Sequence, residues 1–413
     1  MSAGFFLGSR DYRLLLSASS VSNLADGISM VALPWLATLL TQDPLLIAAV
    51  ATAQRLPWLL FALPAGVLTD RADRRLLMLR ADILRFGLMA CILGMVLSLP
   101  DLPAEGIGPV PILSLIAMAF LFGAAELIRD NAAQTILPAL VAPGELERAN
   151  GQIWSAEQVA GQFIGPPLAG LLIASTVALP FGVDASVYAL SAALIWLIAL
   201  PPRPRGEASR FWSALREGLS WVRANPQLLR LALMLGVINA VFVGGMTIMV
   251  LYAQEILNLS AAGYGILLTF GAGGGVLGGL IAPRGARYLG MRASLLAALA
   301  CFILVHLLLG LGASVILAGL ALFLEAAAGM LWNVVTVSYR QRLIPDALLG
   351  RVNSVYRFFG WGAMPFGALG AGALVTLVEP ALGRTAALHA PYILGAAACS
   401  ALLLYALARL RFD

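Results

Sequence analysis

Long apolar runs separated by short polar turns divide the chain from one end to the other. A helix needs roughly 20 apolar residues to cross the hydrocarbon core of a membrane. Runs of this length predict twelve membrane-spanning helices, near residues 14–40, 45–68, 76–99, 110–138, 149–175, 178–200, 229–253, 262–283, 290–313, 315–339, 352–378 and 386–408. One longer polar stretch, residues 201–230, separates the first six from the last six.

This polar stretch predicts three parts: a six-helix bundle at 1–200, a cytoplasmic linker at 201–228 and a second bundle at 229–413. Within the linker, Phe211, Leu215, Leu219 and Val222 recur at helical spacing on one face. Such an amphipathic helix is expected to lie in the inner membrane interface. A simple tether between the two bundles fits the same pattern.

An internal repeat supports the division into two halves. Two pairs of segments match across them: Gly66-x-x-x-Asp70-Arg71-x-x-Arg74 with Gly279-x-x-x-Pro283-Arg284-x-x-Arg287, and Arg148-Ala149-Asn150 with Arg351-Val352-Asn353. Two related six-helix halves are the plan of many secondary transporters, which bind substrate near the midplane between the halves.

Composition and charge agree with a membrane protein. Of the 413 residues, 61% are apolar and only 11% are charged, whereas about a quarter is usual for soluble domains. All 26 basic residues are arginine and the net charge is +5. The predicted inner loops carry nearly all the arginines outside the spans, and the outer loops hold only Arg384. This asymmetry predicts that both termini are cytoplasmic, and it leaves no surface for nucleic acid.

Several kinds of chemistry have no support in the sequence. The three cysteines lie singly in apolar runs and the two histidines lack partners at metal-ligand spacing. A chain without lysine cannot form a Walker-type phosphate loop. We therefore predict no metal, no cofactor, no ATP-driven step and no enzymatic activity.

Ionisable residues within the spans are the first functional candidates, because each is costly to bury. Asp26 lies in the middle of the first span, and Glu126 and Arg129 lie three residues apart in the fourth. Asp26 has no cation within one turn of its own helix, whereas Arg129 can pair with Glu126 and fix helix packing. We rank Asp26 first and Glu126 second as the proton-coupling carboxylate. Whether Arg55 faces Asp26 stays open.

Other polar residues at membrane depth predict the lining of a substrate cavity. They are Asn23, Gln54, Arg55, Arg129, Asn131, Asn239, Glu325 and Asn333. Most of the buried charge lies in the first half of the chain, and the second half has mainly Glu325 and Arg357. The distribution suggests ion coupling in the first half and a more apolar wall in the second.

Residues 66–75, GVLTDRADRR, resemble the signature loop of the major facilitator superfamily, with Asp73 where the family has glycine. The physical interpretation is a latch, in which Asp70 lies against the positive N-terminal end of the eleventh helix. The alternative is that these charges serve topology alone. The predicted cytoplasmic gate consists of Gly66, Asp70, Arg71, Arg74, Arg148 and Arg351.

Residues 161–170 resemble the fifth-helix "antiporter" motif of drug-exporting branches of that superfamily. The motif predicts close packing at Gly161, Gly165 and Gly170 and a kink at Pro166, although generic small-residue packing gives the same pattern. Residues 22–27, 54–57, 130–134 and 149–151 are similar to the bacterial drug- and siderophore-exporter subgroup, which includes macrolide-efflux and enterobactin-exporter-like proteins.

The resemblance implies an all-α membrane protein with 12 transmembrane helices in two pseudo-symmetric six-helix bundles. It implies a monomeric, proton-driven exporter of amphipathic drugs or siderophore-like metabolites in the bacterial inner membrane. The partners would then be the substrate, protons and the lipid bilayer. Two alternatives of the same fold stay open, a nutrient uptake symporter and a lipid or lysolipid flippase.

Overall fold

A computed structural model of the chain describes residues 9–99, 102–103, 108–199 and 211–410. For some helical residues the structure describes only the helical backbone. They include Gly66, Asp70 and Arg71 of the predicted gate, and Phe211 and Leu215 of the predicted amphipathic face. The regular elements of the described residues are all helical.

The first seven helices are α1 (Arg10–Leu40), α2 (Pro44–Arg71), α3 (Arg74–Ser98), α4 (Val110–Ile136), α5 (Leu146–Ala156), α6 (Gly165–Ser175) and α7 (Leu179–Trp196). A π-helical segment, Glu157–Ile164, joins α5 to α6. The next seven are α8 (Phe211–Ala224), α9 (Pro226–Leu251), α10 (Ala261–Leu311), α11 (Val315–Leu343), α12 (Asp346–Gly362), α13 (Met364–Leu382) and α14 (Arg384–Arg409). A short π-helical turn, Tyr252–Ile256, follows α9.

These helices account for the predicted spans. Within the described residues, 9 helical segments are long and apolar enough to cross a membrane. Helix α10 covers the eighth and ninth predicted spans and breaks at Gly290, whose φ of 75° is open to glycine but strained for other residues. The span at 149–175 consists of α5, the π-helical segment and α6. The predicted all-α membrane fold is confirmed, and the helix count agrees approximately with twelve.

The first compact unit comprises Met1–Gln42, Ala53–Glu207 and Ser260–Ile266. Within it, α1 packs against α6 and α7, and α3 packs against α4 and α7. Apolar side chains near the start of α1, including Tyr12 and Leu15, form a buried cluster with Met78 of α3 and Ile195 of α7. These helices hold the polar side chains of the candidate site.

The second compact unit comprises Asp43–Thr52, Ala208–Leu259 and Leu267–Asp413. Its helix α9 packs against α12, α13 and α14, and its core includes Trp332 and Tyr356. The first turns of α2 therefore group with the second unit. The predicted boundaries instead assign all of residues 1–200 to the first bundle.

Helix α8 differs from the expected interfacial helix in its described part. Val222 has no exposed surface, and Leu219 packs against the same core cluster. A Cβ atom at Gly218 would lie 2.7 Å from the carbonyl oxygen of Arg351, so α8 and α12 touch backbone to backbone. This part of the apolar face is buried against protein, because α12 offers it a packing surface.

Candidate functional site

A buried arginine is the centre of the polar cluster in the first unit. Arg85 of α3 has no exposed surface, forms an ion pair with Asp26 of α1 and donates to Ser22 Oγ at 3.0 Å. Its guanidinium carbon lies 4.4 Å from the ring centroid of Tyr188 and 4.8 Å from that of Phe122. A buried charge is tolerated when it is paired and hydrogen-bonded, and aromatic faces add a further attraction.

Asp26 is a partly exposed member of this cluster. Its side chain is 24% exposed, and its Oδ1 also accepts a hydrogen bond from the Tyr188 hydroxyl at 2.8 Å. Asp26 has no cation within one turn on α1, as expected, but α3 supplies Arg85. Spacing along α1 reports only the neighbours on that helix, so it could not reveal this partner.

Asp82 is the centre of a second buried group, one turn along α3. It accepts from the Ser191 hydroxyl at 2.6 Å and lies 3.5 Å from Arg129 Nε and 3.6 Å from Arg85 Nη1. Arg129 also approaches Asp130 at 3.8 Å. The predicted pairing of Arg129 with Glu126 is therefore wrong. The two residues are close in sequence, but the guanidinium turns to the carboxylate on α3.

Glu126 remains without an ion pair among the described residues. Its side chain is partly exposed. Beyond its own burial, the charges that act on it most strongly are Arg55, then Asp26 and Asp130. The ranking of Asp26 above Glu126 rests on the lack of a cation near Asp26 on α1. In the structure, Asp26 is paired with Arg85, and Glu126 is the acid without an ion pair among the described residues.

The remaining predicted cavity residues of the first unit are partly buried, and two of them bond to their own helix. The amide of Asn23 donates to the Ser19 carbonyl at 2.8 Å, and that of Asn131 donates to the Leu127 carbonyl at 2.9 Å. Gln54 lies where α2 closely approaches Gly123 of α4. None of these residues takes part in the ion pairs of the cluster that the described part of the chain contains.

The predicted cavity residues of the second unit have separate surroundings. Asn239 donates to the Gly360 carbonyl at 2.9 Å and joins α9 to α12. Glu325 is buried, with 8% of its surface exposed, and has no hydrogen bond or ion pair among the described residues. Asn333 is exposed. The structure does not assemble these three residues into one cluster.

Glycines hold α1, which carries Asp26, against the π-helical segment. A Cβ atom at Gly27 would overlap the carbonyl group of Gly161. One at Gly165 would lie 2.6 Å from Gly27 Cα. The two backbones therefore touch where the motif supplies glycine, and the position of Asp26 depends on this contact.

The second half of the motif contacts the start of α10 within the same unit. A Cβ atom at Gly170 would lie 2.7 Å from Ala262 Cα, and the carbonyl group of Pro166 closely approaches Gly265. Pro166 stands at the start of α6, directly after the π-helical segment. Proline and π-helical turns both interrupt regular helical hydrogen bonding, and π-helical turns are frequent at functional sites.

The described gate residues make local contacts. Arg74 donates to the carbonyl oxygens of Thr69 at 3.4 Å and Thr135 at 2.5 Å. Arg351 forms an ion pair with Glu217 of α8, and Arg148 is exposed and interacts electrostatically with Tyr12. The latch involving Asp70 lies outside the described side chains and stays a prediction.

Asp73, which stands where the superfamily loop has glycine, has a structural role at the start of α3. Its side chain accepts from the Leu76 N–H at 3.1 Å and caps the N-terminus of α3. Aspartate is a strong N-cap, whereas the family's glycine supplies no side-chain acceptor.

Sequence reasoning missed several members of the buried cluster as site residues, among them Asp82, Arg85, Tyr188 and Ser191. The spacing of Asp82 and Arg85, three residues apart in an apolar span, is a signal that could have found them. Tyr188 and Ser191 are also three apart on α7, but neutral polar residues in a span are a weaker signal.

Comparison with known proteins identifies the family. The model of the transmembrane secretion effector family, within the major facilitator superfamily, matches residues 6–412. The chain belongs to this family. As a transmembrane secretion effector it is a multi-pass membrane transport protein of the major facilitator superfamily rather than an enzyme.

Curated relatives and solved structures match this secretion effector along nearly its whole length. It is 27% identical over 395 residues to the multidrug efflux pump Tap of Mycolicibacterium fortuitum, covering 92% of this chain and 91% of Tap. Tap of Mycobacterium tuberculosis is 28% identical over 408 residues, covering 92% and 88%.

Among solved structures, a point mutant of the nucleoside transporter NupG has a TM-score of 0.76 at 12% identity, covering 96% of this chain and 100% of NupG. A bacterial homologue of the iron transporter ferroportin has a TM-score of 0.73 at 17% identity, covering 95% and 98%. These two likenesses show the fold alone.

Proposed function

We propose that this secretion effector is a proton-driven exporter of amphipathic small molecules, either drugs or siderophore-like metabolites. The full-length similarity to multidrug efflux pumps supports export. The observation that carries the coupling proposal is Glu126, a partly exposed acid without an ion pair among the described residues. It lies one helical turn from Phe122 and from Arg129, which both contact the buried cluster.

In the proposed mechanism, Glu126 exchanges its proton with water and attracts cationic amphiphiles when it is charged. Proton and substrate then compete for one carboxylate, so each favours a different state of the transporter. A ligand drives a conformational cycle only through such a difference in affinity. Asp26 is the second coupling carboxylate, which takes up a proton only when its ion pair with Arg85 opens.

The remaining proposals concern the orientation of the chain, the membrane that holds it and its oligomeric state. The arginine asymmetry of the loops supports cytoplasmic termini, and the mycobacterial efflux relatives support the bacterial inner membrane. One chain with two compact units supports a monomer as the working unit. Labelling of single cysteines placed in the α1–α2 turn and after α14, from each side of the membrane, tests the orientation.

The test uses purified protein in liposomes with a pH gradient and a fluorescent amphipathic cation such as ethidium. We expect Glu126→Gln to lower gradient-driven efflux at least tenfold. Dye binding should become weaker and independent of pH, because the amide no longer attracts the cation or takes up a proton. The matched control is Glu147→Gln, which neutralises an exposed glutamate of α5. Full efflux by Glu126→Gln would remove this residue from the coupling step.

Two further measurements address the alternative functions. Everted vesicles report the direction of dye movement, because export from the cell appears as dye accumulation inside them. Dye movement out of these vesicles would favour uptake. A fluorescent lysolipid in the same liposomes reports flipping, and flipping without dye transport would replace drug export with lipid export.

A further inference from the structure

Two polar contacts join α1 to α7 on successive helical turns. The Tyr188 hydroxyl donates to Asp26 at 2.8 Å, and the Ser29 hydroxyl donates to Asp184 Oδ2 at 2.6 Å. Asp26 and Ser29 are three residues apart on α1, and Asp184 and Tyr188 are four apart on α7. Residues at these spacings share one face of a helix, so the two contacts are neighbours.

Of the two carboxyl groups in these contacts, Asp184 has fewer polar partners than Asp26. It has no exposed surface, and its Oδ1 has no hydrogen-bond partner among the described residues. Its single described hydrogen-bond partner is the neutral hydroxyl of Ser29. A buried carboxylate held by one hydroxyl is strongly unfavourable, whereas the protonated acid carries no charge to bury.

The charged and titratable groups around Asp184 do not change this conclusion. They are Asp26 of α1, Arg85 of α3 and Tyr188 of α7 itself. Arg85 is the only cation among them, and it is engaged with Asp26, Asp82 and Ser22. No ion pair within 4.0 Å joins Arg85 to Asp184 in the described part of the chain.

We propose that Asp184 carries a proton inside the first unit and is the internal donor that reloads Asp26. One proton leaves the Asp184 carboxyl group and binds the Asp26 carboxylate, so Asp184 becomes the carboxylate and Asp26 the acid. The transfer requires the ion pair between Asp26 and Arg85 to open first. Arg85, which then no longer has Asp26 as a counter-ion, is the cation that offsets the charge left on Asp184. Asp26 and Ser29 are separated by a rise of roughly 4.5 Å along α1, so the transfer crosses one helical turn.

The protonated state is tested by infrared difference spectroscopy of the full-length protein in lipid at neutral pH. We expect Asp184→Asn to remove one carboxylic-acid C=O band, and Ser29→Ala to shift this band without removing it. Asparagine keeps an acceptor for Ser29, so the variant is expected to fold. The control is Asp73→Asn. Asp73 is exposed, so it should be a carboxylate at neutral pH, and its replacement should remove no carboxylic-acid band. An unchanged spectrum in Asp184→Asn would overturn the proposal.

The transfer step alone rests on the proposed function and needs a second readout. In liposomes, we expect Asp184→Asn to lower pH-gradient-driven efflux at least fivefold, with dye exchange in the absence of a gradient within twofold of wild type. Gradient-driven efflux at the wild-type rate would refute the reloading role. If wild-type protein shows no gradient-driven efflux, the proposed function fails, and the infrared result still decides whether Asp184 is protonated.

Discussion

Replacing Asp26 by asparagine is the sharpest test of the buried ion pair. The substitution keeps the size of the side chain and an acceptor for the Tyr188 hydroxyl. It removes the negative charge that faces Arg85, a side chain with no exposed surface. The guanidinium then keeps Ser22 at 3.0 Å and Asp82 at 3.6 Å, but Asp82 is shared with a second arginine.

The expected cost follows from this geometry. Removing one partner of a buried pair typically destabilises a protein by about 3–5 kcal/mol, because the other charge stays buried. Asp82 and the two aromatic faces still compensate part of the charge of Arg85, so we expect a loss of about 3 kcal/mol, at the lower end of the range. Replacing the pair by Asp26→Asn with Arg85→Met removes the buried charge and should restore most of this loss.

The assay is unfolding in one detergent by thermal and chemical denaturation, with wild type, both single variants and the double variant side by side. We expect the double variant to be more stable than Asp26→Asn, because it no longer buries an unpaired charge. A single variant as stable as wild type, or a double variant less stable than both single ones, would refute it.

Three smaller predictions concern single contacts. Gly27→Ala should strongly reduce the yield of folded protein, whereas Gly94→Ala, where a Cβ atom meets nothing within 4 Å, should not; size-exclusion chromatography compares them. Asp73→Ala should cost about 1 kcal/mol of stability through the lost N-cap, and Asp73→Asn much less, as denaturation curves would show. Glu217→Gln, which breaks the exposed ion pair with Arg351, should cost less than about 1 kcal/mol, and the cost should vanish at high salt.

The membrane fold was predictable because its signal is local. A long apolar run is enough to predict a span, and Gly290 marks the break between two of them without any knowledge of packing. The close-packing glycines of the fifth span were also identifiable, since few other residues allow two backbones to touch.

The partners of the buried charges were not predictable in the same way. The apolar runs place Asp26 and Glu126 within predicted spans, but the cation of Asp26 and the carboxylate that faces Arg129 both come from α3. Which helices are neighbours is a tertiary property that one sequence does not contain. Asp184 was missed as a site residue for the same reason, because its burial and its single partner depend on α1.

Coupling of proton entry to substrate export, through carboxylates of the first unit, is the main proposal for this transporter. Its most direct test adds an amphipathic cation to liposomes that contain the wild-type protein and a trapped pH indicator. We expect protons to move opposite to the dye in wild type, and the dye to move without proton movement in Glu126→Gln. Dye transport by the wild type that moves no protons would contradict the claim.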